Sequence, residues 1–259
     1  MSAGLRWLGG VLTTAILIVD STHSSVAEEC RVVAGFAQNT VGEFPSDWKP
    51  KEEQARTIYR VMEENGARFV RATAEGTGLQ MGKDFEWDLG TTPMLKWKWR
   101  PQLFPSGSDE RQSGRNDSVV GVYAVFPHTP FTVKTVKYVW SLAVPVGTTA
   151  SASMGRTRMI VLRSGQPTDS GWVEETVNVV SDYRRLFGEA PKRALGIAVL
   201  TDADDTKGRA VGDYAAFKVC PAGSPPVGSG ALRNSPPVLQ ALGFPDPQGS
   251  TSRTGAILK

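Results

Sequence analysis

Short runs that alternate hydrophobic and polar side chains recur along most of the chain. Residues 84–89 (DFEWDL) place two aromatic residues and a leucine on one face and acidic residues on the other, and residues 95–100 (LKWKWR) repeat the alternation with basic residues. A period of two is typical of a β-strand with one buried face. Residues 119–126 and 136–144 are apolar on both faces, which predicts strands buried on both sides.

Turn-forming residues separate these runs at short, even intervals. Asn65 and Gly66 lie between two alternating runs and predict a β-hairpin. One segment predicts a helix that begins at Ser181 and ends near Gly188 and Pro191. Many short strands with one clear helix favour an all-β chain over an alternating α/β pattern. We therefore predict an antiparallel β-sandwich of jelly-roll (galactose-binding-like) type with one or two short helices.

The two ends of the chain differ in composition from the part between them. Residues 1–27 combine Arg6, an apolar run at 7–19 and a small-residue site at 25–27, which predicts a cleaved signal peptide. The competing interpretation is an uncleaved membrane anchor, which needs about 18–20 apolar residues. Residues 28–220 then form one sandwich domain, and the Pro-, Gly- and Ser-rich residues 221–259 form a disordered tail. We expect a periplasmic or secreted protein with no membrane span after cleavage.

The cysteine and histidine content and the net charge limit the kinds of site and partner that the chain can have. The chain has two cysteines, Cys30 and Cys220, and in an oxidising compartment the simplest outcome is a disulfide between them. Only His128 remains after signal cleavage, so a zinc site with several His or Cys ligands is excluded and a catalytic triad is disfavoured. The net charge is +3 with scattered Lys and Arg, so we expect no nucleic-acid partner.

Several motifs, in order along the chain, resemble one bacterial family. LKWKWR, KYVWS, WVEETVNVVSDYRRLFGE and ALGIAVLTDADDT fall between Ala55 and Val219 and are similar to those of domain-of-unknown-function family 3047. The resemblance implies an exported bacterial protein with a β-sandwich similar to carbohydrate-binding modules. It implies no established activity and no catalytic residues. The chain departs from the family pattern at residues 201–208 and in its long tail.

An acidic segment follows an apolar run near the end of the domain. Residues 201–208 (TDADDTKG) contain Asp202, Asp204 and Asp205. A calcium site would use Asp202, Asp204 and Asp213 as oxygen ligands, although Lys207 stands where an EF-hand needs glycine. The alternatives are a solvated turn, or one carboxylate of a glycan-cleaving pair whose second member is Glu110 or Asp117 in the polar loop 106–118.

Aromatic and basic residues suggest a binding surface. Trp97 and Trp99 share the face of Leu95, so we expect them in the core. Arg100 on the opposite face of its strand and Trp140 are the better candidates for an open surface. The predicted ligand-binding residues share an aromatic, cationic or acidic side chain that suits a sugar: Arg100, Glu110, Asp117, Trp140, Asp202, Asp204 and Asp205.

These observations lead to one functional hypothesis and two rivals. We predict non-catalytic binding of a glycan or similar envelope polymer where the acidic segment meets the polar loop. The first rival is a carboxylate-dependent hydrolase or lyase on the same scaffold. The second is a structural or assembly partner in the cell envelope, which would use the apolar residues 238–244 of the tail as its contact.

Overall fold

The computed structural model describes residues 29–223. The predicted signal peptide and the tail from residue 224 onward, with its apolar stretch 238–244, lie outside the described residues. Within residues 29–223, no helix has the length and apolar character that a membrane crossing requires.

Residues 29–223 form thirteen strands, two α-helices and one turn of 3₁₀-helix. In chain order the strands and α-helices are β1 (Arg31–Ala34), β2 (Lys49–Pro50), α1 (Ala55–Ile58), β3 (Tyr59–Glu64), β4 (Ala67–Glu75), β5 (Met81–Trp87), β6 (Met94–Leu103), β7 (Val120–Thr129), β8 (Thr132–Ser141), β9 (Thr149–Ala152), β10 (Thr157–Ser164), β11 (Val173–Asn178), α2 (Val179–Phe187), β12 (Ala194–Leu200) and β13 (Arg209–Cys220).

The strands form two sheets. Sheet 1 has the order β11-β6-β13-β4-β3, with β1 also paired to β13, and sheet 2 has the order β2-β5-β12-β7-β8-β10-β9. The pairs β4–β13, β5–β12 and β6–β11 are nested in the sequence and alternate between the sheets, as in a long hairpin rolled into a jelly roll. The predicted fold class is confirmed. Every pair is antiparallel except β8–β10, which is parallel.

The core lies between the two sheets and is rich in aromatic rings. Trp97 and Trp99 of β6 are fully buried, which confirms their core assignment. The ring centroid of Trp97 lies 5.6 Å from that of Tyr138, and the ring centroid of Trp99 lies 6.1 Å from that of Trp140. Trp140 is 5% exposed and its Nε1 donates a hydrogen bond to the carbonyl oxygen of Gly165. The expectation of an open Trp140 is therefore wrong, because its strand turns this ring toward β6.

Three local predictions can be compared directly with the structure. Cys30 and Cys220 form the expected disulfide, beside the pairing of β1 with the end of β13. Asn65 and Gly66 have φ of 52° and 75° and join β3 to β4 in the predicted hairpin. The predicted start of the helix at Ser181 is wrong by two residues. The Asn178 side chain accepts a hydrogen bond from the Ser181 amide, so Asn178 is the cap and Ser181 lies inside α2.

Candidate functional site

Two polar loops cross between the sheets side by side. The loop after β6 leads to β7 and the loop after β12 leads to β13. Because β6 adjoins β13 in sheet 1 and β7 adjoins β12 in sheet 2, the two loops lie at the same edge of the sandwich. The structure thus brings together the polar loop 106–118 and the acidic segment 201–208.

Asp117 joins these two loops from a fully buried position. Its Oδ1 accepts a hydrogen bond from the amide of Asp205 at 3.0 Å, and its Oδ2 accepts from the amide of Thr206 at 2.8 Å and from the Thr206 hydroxyl. The Asn116 amide in turn donates to Oδ2 of Asp205 at 3.1 Å. These contacts make Asp117 the residue that holds the acidic segment in place.

The carboxylates at this edge form a group that differs from the predicted calcium ligands. Oxygens of Asp117, Asp204 and Asp205 lie within 4.8 Å of one another, with Asp204 exposed. Asp213 lies elsewhere, on the outer face of sheet 1, where its oxygens accept bonds from Arg71, Arg100 and Gln102. Asp213 therefore has no free oxygen for a metal ion. Calcium binding stays a prediction, and the oxygens that suit it belong to Asp117, Asp204 and Asp205.

A second set of titratable side chains lies behind the same edge. Lys137 of β8 is buried, and its Nζ donates to the hydroxyl of Ser118 at 3.2 Å. Glu110 is also buried. Its Oε2 accepts a hydrogen bond from the Ser141 hydroxyl, whereas its buried Oε1 has no hydrogen-bond partner within residues 29–223. Glu110 and Lys137 line a cavity of about 390 Å³, together with Arg111, Ser113 and Asn116.

Burial raises the pKa of two carboxyl groups here. Burial raises the pKa of Asp202 to about 7; Lys137 opposes this shift, whereas the carboxylates of Asp204 and Asp117 add to it. Burial also raises the pKa of the Glu110 carboxyl, whereas the hydrogen bond from Ser141 acts to lower it. Perturbed carboxyl groups beside a cavity are typical of functional sites, although structural networks produce them too.

The outer face of sheet 1 carries a buried ionic network. Arg71 donates two hydrogen bonds to Asp213, at 2.7 and 2.9 Å. Arg100 donates to Asp213 from Nε at 3.0 Å and to Glu64 from Nη1 at 2.9 Å. Arg100 is only 8% exposed, so the expectation that it lies on an open surface is wrong. Its guanidinium is covered because the loop before β11 folds over it.

Trp172 lies in that covering loop and borders a groove on the outer face of sheet 1. The Cζ of Arg100 is 4.6 Å from the Trp172 ring centroid, and the Phe69 ring meets the Trp172 ring edge-on at 5.3 Å. The groove has a volume of about 510 Å³. Its polar rim is formed by Glu63, Glu64, Arg68 and Lys98.

The sequence reasoning did not select several of these residues. Phe69 alternates with the core residue Val70, and this alternation was the available signal that Phe69 lies on the outer face. Lys137 gave no signal, because a single lysine within an apolar strand does not reveal its buried partners. Trp172 was visible as an aromatic residue, but its contact with Arg100 depends on tertiary packing.

A comparison with protein-family models settles the family. The model described as "Protein of unknown function (DUF3047)" matches residues 46–218. This chain belongs to that family. The DUF3047 match covers the strands from β2 to most of β13, so it contains both polar loops and every residue that lines the groove on sheet 1 except Gly35 and Ala37. The predicted resemblance is confirmed.

Several solved structures resemble the DUF3047 chain at low sequence identity. TmCBM61, solved with β-1,4-galactotriose, is 12% identical with a TM-score of 0.35, over 72% of this chain and 94% of that one. A family 11 carbohydrate-binding module of a Clostridium thermocellum cellulosomal cellulase is 8% identical, TM-score 0.40, over 76% and 96%. Trichoderma harzianum endoglucanase 3 is 10% identical, TM-score 0.37, over 75% and 97%. The sequence matches none of the curated proteins with which it was compared.

Proposed function

We propose that this protein is an exported glycan-binding module that holds its ligand in the groove on the outer face of sheet 1. The observation that carries the proposal is the partly buried Trp172 ring, which borders a groove of about 510 Å³. An aromatic ring offers a flat apolar surface to the C–H face of a sugar, and the indole N–H of a tryptophan can still form a hydrogen bond with water. A concave site that combines one such ring with a few polar groups suits a polyhydroxylated ligand.

The polar rim supplies the second requirement of sugar recognition. Arg68 donates to Glu63 from Nε at 2.9 Å and to the backbone oxygens of Ala37 and Asn39 from Nη1. These contacts hold the guanidinium and the carboxylate at the groove in fixed positions. Fixed donors and acceptors lose little conformational entropy when they bind hydroxyl groups.

Arg100 supports this site from below as a positioning residue. Its bonds to Asp213 and Glu64 hold the guanidinium in place, and the guanidinium and Phe69 together contact the Trp172 ring. Contact between a guanidinium and an aromatic ring is attractive. In this proposal Arg100 acts through the Trp172 ring, whereas the sequence predicted that Arg100 itself binds the ligand.

Export is part of the proposal and is supported by the Cys30–Cys220 disulfide. Such bonds form and persist mainly in oxidising compartments. The predicted periplasmic or secreted location is consistent with this bond.

The binding test uses native affinity electrophoresis of the full chain through gels that contain single polysaccharides. We expect at least one polysaccharide to retard the protein and Trp172→Ala to remove most of the retardation. Loss of one buried contact at the centre of an interface commonly weakens binding by about tenfold or more. The matched control is Phe131→Ala, because Phe131 is 95% exposed on the β7–β8 turn, away from the groove. Failure of every polysaccharide to retard the wild-type chain would refute the proposal.

A specific observation favours a hydrolase or lyase as the second candidate. Glu110 and Asp202 both have raised pKa values, and Glu110 has an unpartnered oxygen at the second cavity. A carboxyl group with a raised pKa suits a general acid. Release of reducing ends or unsaturated products that Glu110→Gln abolishes would support catalysis. Binding without product would favour the module.

A further inference from the structure

We infer that a cavity between the edge of sheet 2 and helix α2 binds a small oxyanion, meaning a carboxylate, sulfate or phosphate group. This cavity shares no lining residue with the groove on sheet 1, so the inference does not depend on the proposed glycan binding. It is carried by Arg158, a partly buried cation whose guanidinium forms no hydrogen bond or ion pair within residues 29–223.

The cavity lies where sheet 2 ends and α2 begins to cover it. Its volume is about 330 Å³, within the range of small-molecule sites. One wall belongs to strands β9 and β10 and the other to α2, with the lining residues Thr149, Ala150, Ser151, Arg158, Arg185 and Leu186. This lining offers two guanidinium groups, two hydroxyl groups and no carboxylate, which favours an anionic ligand over a neutral or cationic one.

The fold holds the Arg158 side chain at the cavity wall. Arg158 of β10 lies directly opposite Ser151 of β9, and opposed residues of neighbouring strands share a face, so the Ser151 hydroxyl lies beside the arginine. The Cζ of Arg158 is 5.8 Å from the ring centroid of Phe187 in α2. The Phe187 ring itself packs on Tyr183, with the two centroids 4.6 Å apart. These contacts position the guanidinium before any ligand binds.

The guanidinium of Arg158 lacks the acceptors that a buried cation requires. Its Nε is buried without a hydrogen-bond partner, and within residues 29–223 this is true of no other guanidinium nitrogen. A buried charged group without acceptors destabilises the folded state, and a ligand that supplies them offsets this cost. The planar fork of a guanidinium matches two oxygens of a carboxylate, sulfate or phosphate group.

The neighbouring carboxylates pair with other cations. Asp182 accepts a hydrogen bond from Nη2 of Arg185 at 3.0 Å, so this carboxylate offsets the second guanidinium of the cavity. Glu189, which follows the end of α2, pairs with Lys134 at 2.6 Å. Neither carboxylate forms an ion pair with Arg158. An oxyanion between the two walls would therefore complete the coordination of Arg158 and meet Arg185 from the other side.

The test is isothermal titration calorimetry of the full chain with sodium sulfate, sodium phosphate or sodium acetate, each against sodium chloride of equal ionic strength. We expect saturable binding of at least one oxyanion, and Arg158→Met to raise its Kd by about tenfold, the usual effect of losing a charge-assisted hydrogen bond. Methionine keeps an unbranched apolar stem against Phe187 and removes every donor. The matched control is Arg184→Met, which removes the same charge from an exposed position of α2 outside the cavity.

Thermal unfolding in chloride and in the oxyanion shows whether each variant is folded and gives a second measure of binding, because a ligand of the native state raises the unfolding temperature. Arg185→Met, on the other wall, should raise Kd by about threefold, since its side chain is more exposed. It keeps the inference testable if Arg158→Met does not fold.

The outcomes separate a specific site from general charge attraction. Binding that Arg158→Met weakens and Arg184→Met leaves unchanged would support the inference, and the probe that binds most tightly identifies the anion as carboxylate, sulfate or phosphate. Equal weakening by both substitutions would indicate charge attraction alone and overturn it. Absence of saturable binding to the folded wild-type chain would also overturn it. Retardation by polysaccharides and its loss in Trp172→Ala are measured separately, so the proposed glycan binding stands or fails independently.

Discussion

Arg100 joins the buried ionic network of sheet 1 to the aromatic wall of the groove, with its Cζ 4.6 Å from the ring centroid of Trp172. The same guanidinium donates to the fully buried carboxylate of Asp213. The position of the Trp172 ring therefore depends on charges that the groove does not expose. The stability of this network and the position of the Trp172 ring are therefore linked through this one side chain.

Removal of the Asp213 carboxylate should destabilise the domain strongly. Asp213→Ala leaves Arg71 and the largely buried Arg100 without their shared anion, and breaking a buried ion pair on one side destabilises by about 3–5 kcal/mol. Urea unfolding measures the change. The control is Asp84→Ala in the exposed pair with Lys49, for which we expect a change under about 1 kcal/mol. Equal effects of the two substitutions would contradict the network.

The disulfide should be a major contribution to stability. It joins residues 190 positions apart, and removal of a native disulfide typically lowers the free energy of unfolding by about 2–5 kcal/mol. We expect the double variant Cys30→Ser/Cys220→Ser to reproduce the loss that a reductant causes in the wild-type chain. A reductant that still destabilises the double variant would show that its effect lies elsewhere.

The buried carboxyl of Asp202 predicts a specific pH dependence. Its folded pKa of about 7 lies above the ordinary value of 3.8, so the native state binds the proton more tightly than the unfolded state. Stability from this group is present in acid and declines as the pH rises from about 4 to about 7. Asp202→Asn lacks this decline. We therefore expect the free energy of unfolding of the variant, relative to wild type, to increase between pH 4 and pH 8. A constant difference over that range would contradict the raised pKa.

Asp117 should restrict the motion of the acidic segment 201–208. Asp117→Ala removes the acceptor for the amides of Asp205 and Thr206, and hydrogen bonds to a charged group contribute about 1.5–3 kcal/mol. Hydrogen–deuterium exchange should show faster exchange of those two amides. Asp204→Ala alters an exposed neighbour and should leave their protection nearly unchanged. Protection that survives Asp117→Ala would show that another contact holds the segment.

Asn178 and Ser181 are the two candidates for the N-cap of α2. Asn178→Ala removes the acceptor for the Ser181 amide and should destabilise the protein by about 1 kcal/mol. Ser181→Ala changes a side chain inside the first turn and should stay within about 0.5 kcal/mol of wild type. Thermal unfolding measures both. A larger effect at Ser181 than at Asn178 would indicate instead that Ser181 caps α2, as the sequence predicted.

Part of the candidate site followed from the sequence. The sequence-based hypothesis placed a binding site where the two loops that carry Glu110, Asp117 and Asp202 meet, and the structure brings these loops together. Their individual roles did not follow. Asp117 is an anchor whose oxygens accept hydrogen bonds from the acidic segment, whereas one oxygen of Glu110 has no hydrogen-bond partner among residues 29–223. Only these partners distinguish the two carboxylates.

The sequence by itself determined the jelly-roll class, the disulfide and the family. Side-chain alternation and motif order can be read along the chain, and two cysteines allow only one intramolecular pairing. Tertiary structure alone decided which outer face is open. Alternation shows that Arg100 and Trp99 lie on opposite faces of β6, but not that the loop containing Trp172 covers Arg100. It also does not show that Trp140 faces Trp99 across the core. Such contacts join residues distant in sequence, so they arise only when the two sheets and their loops pack together.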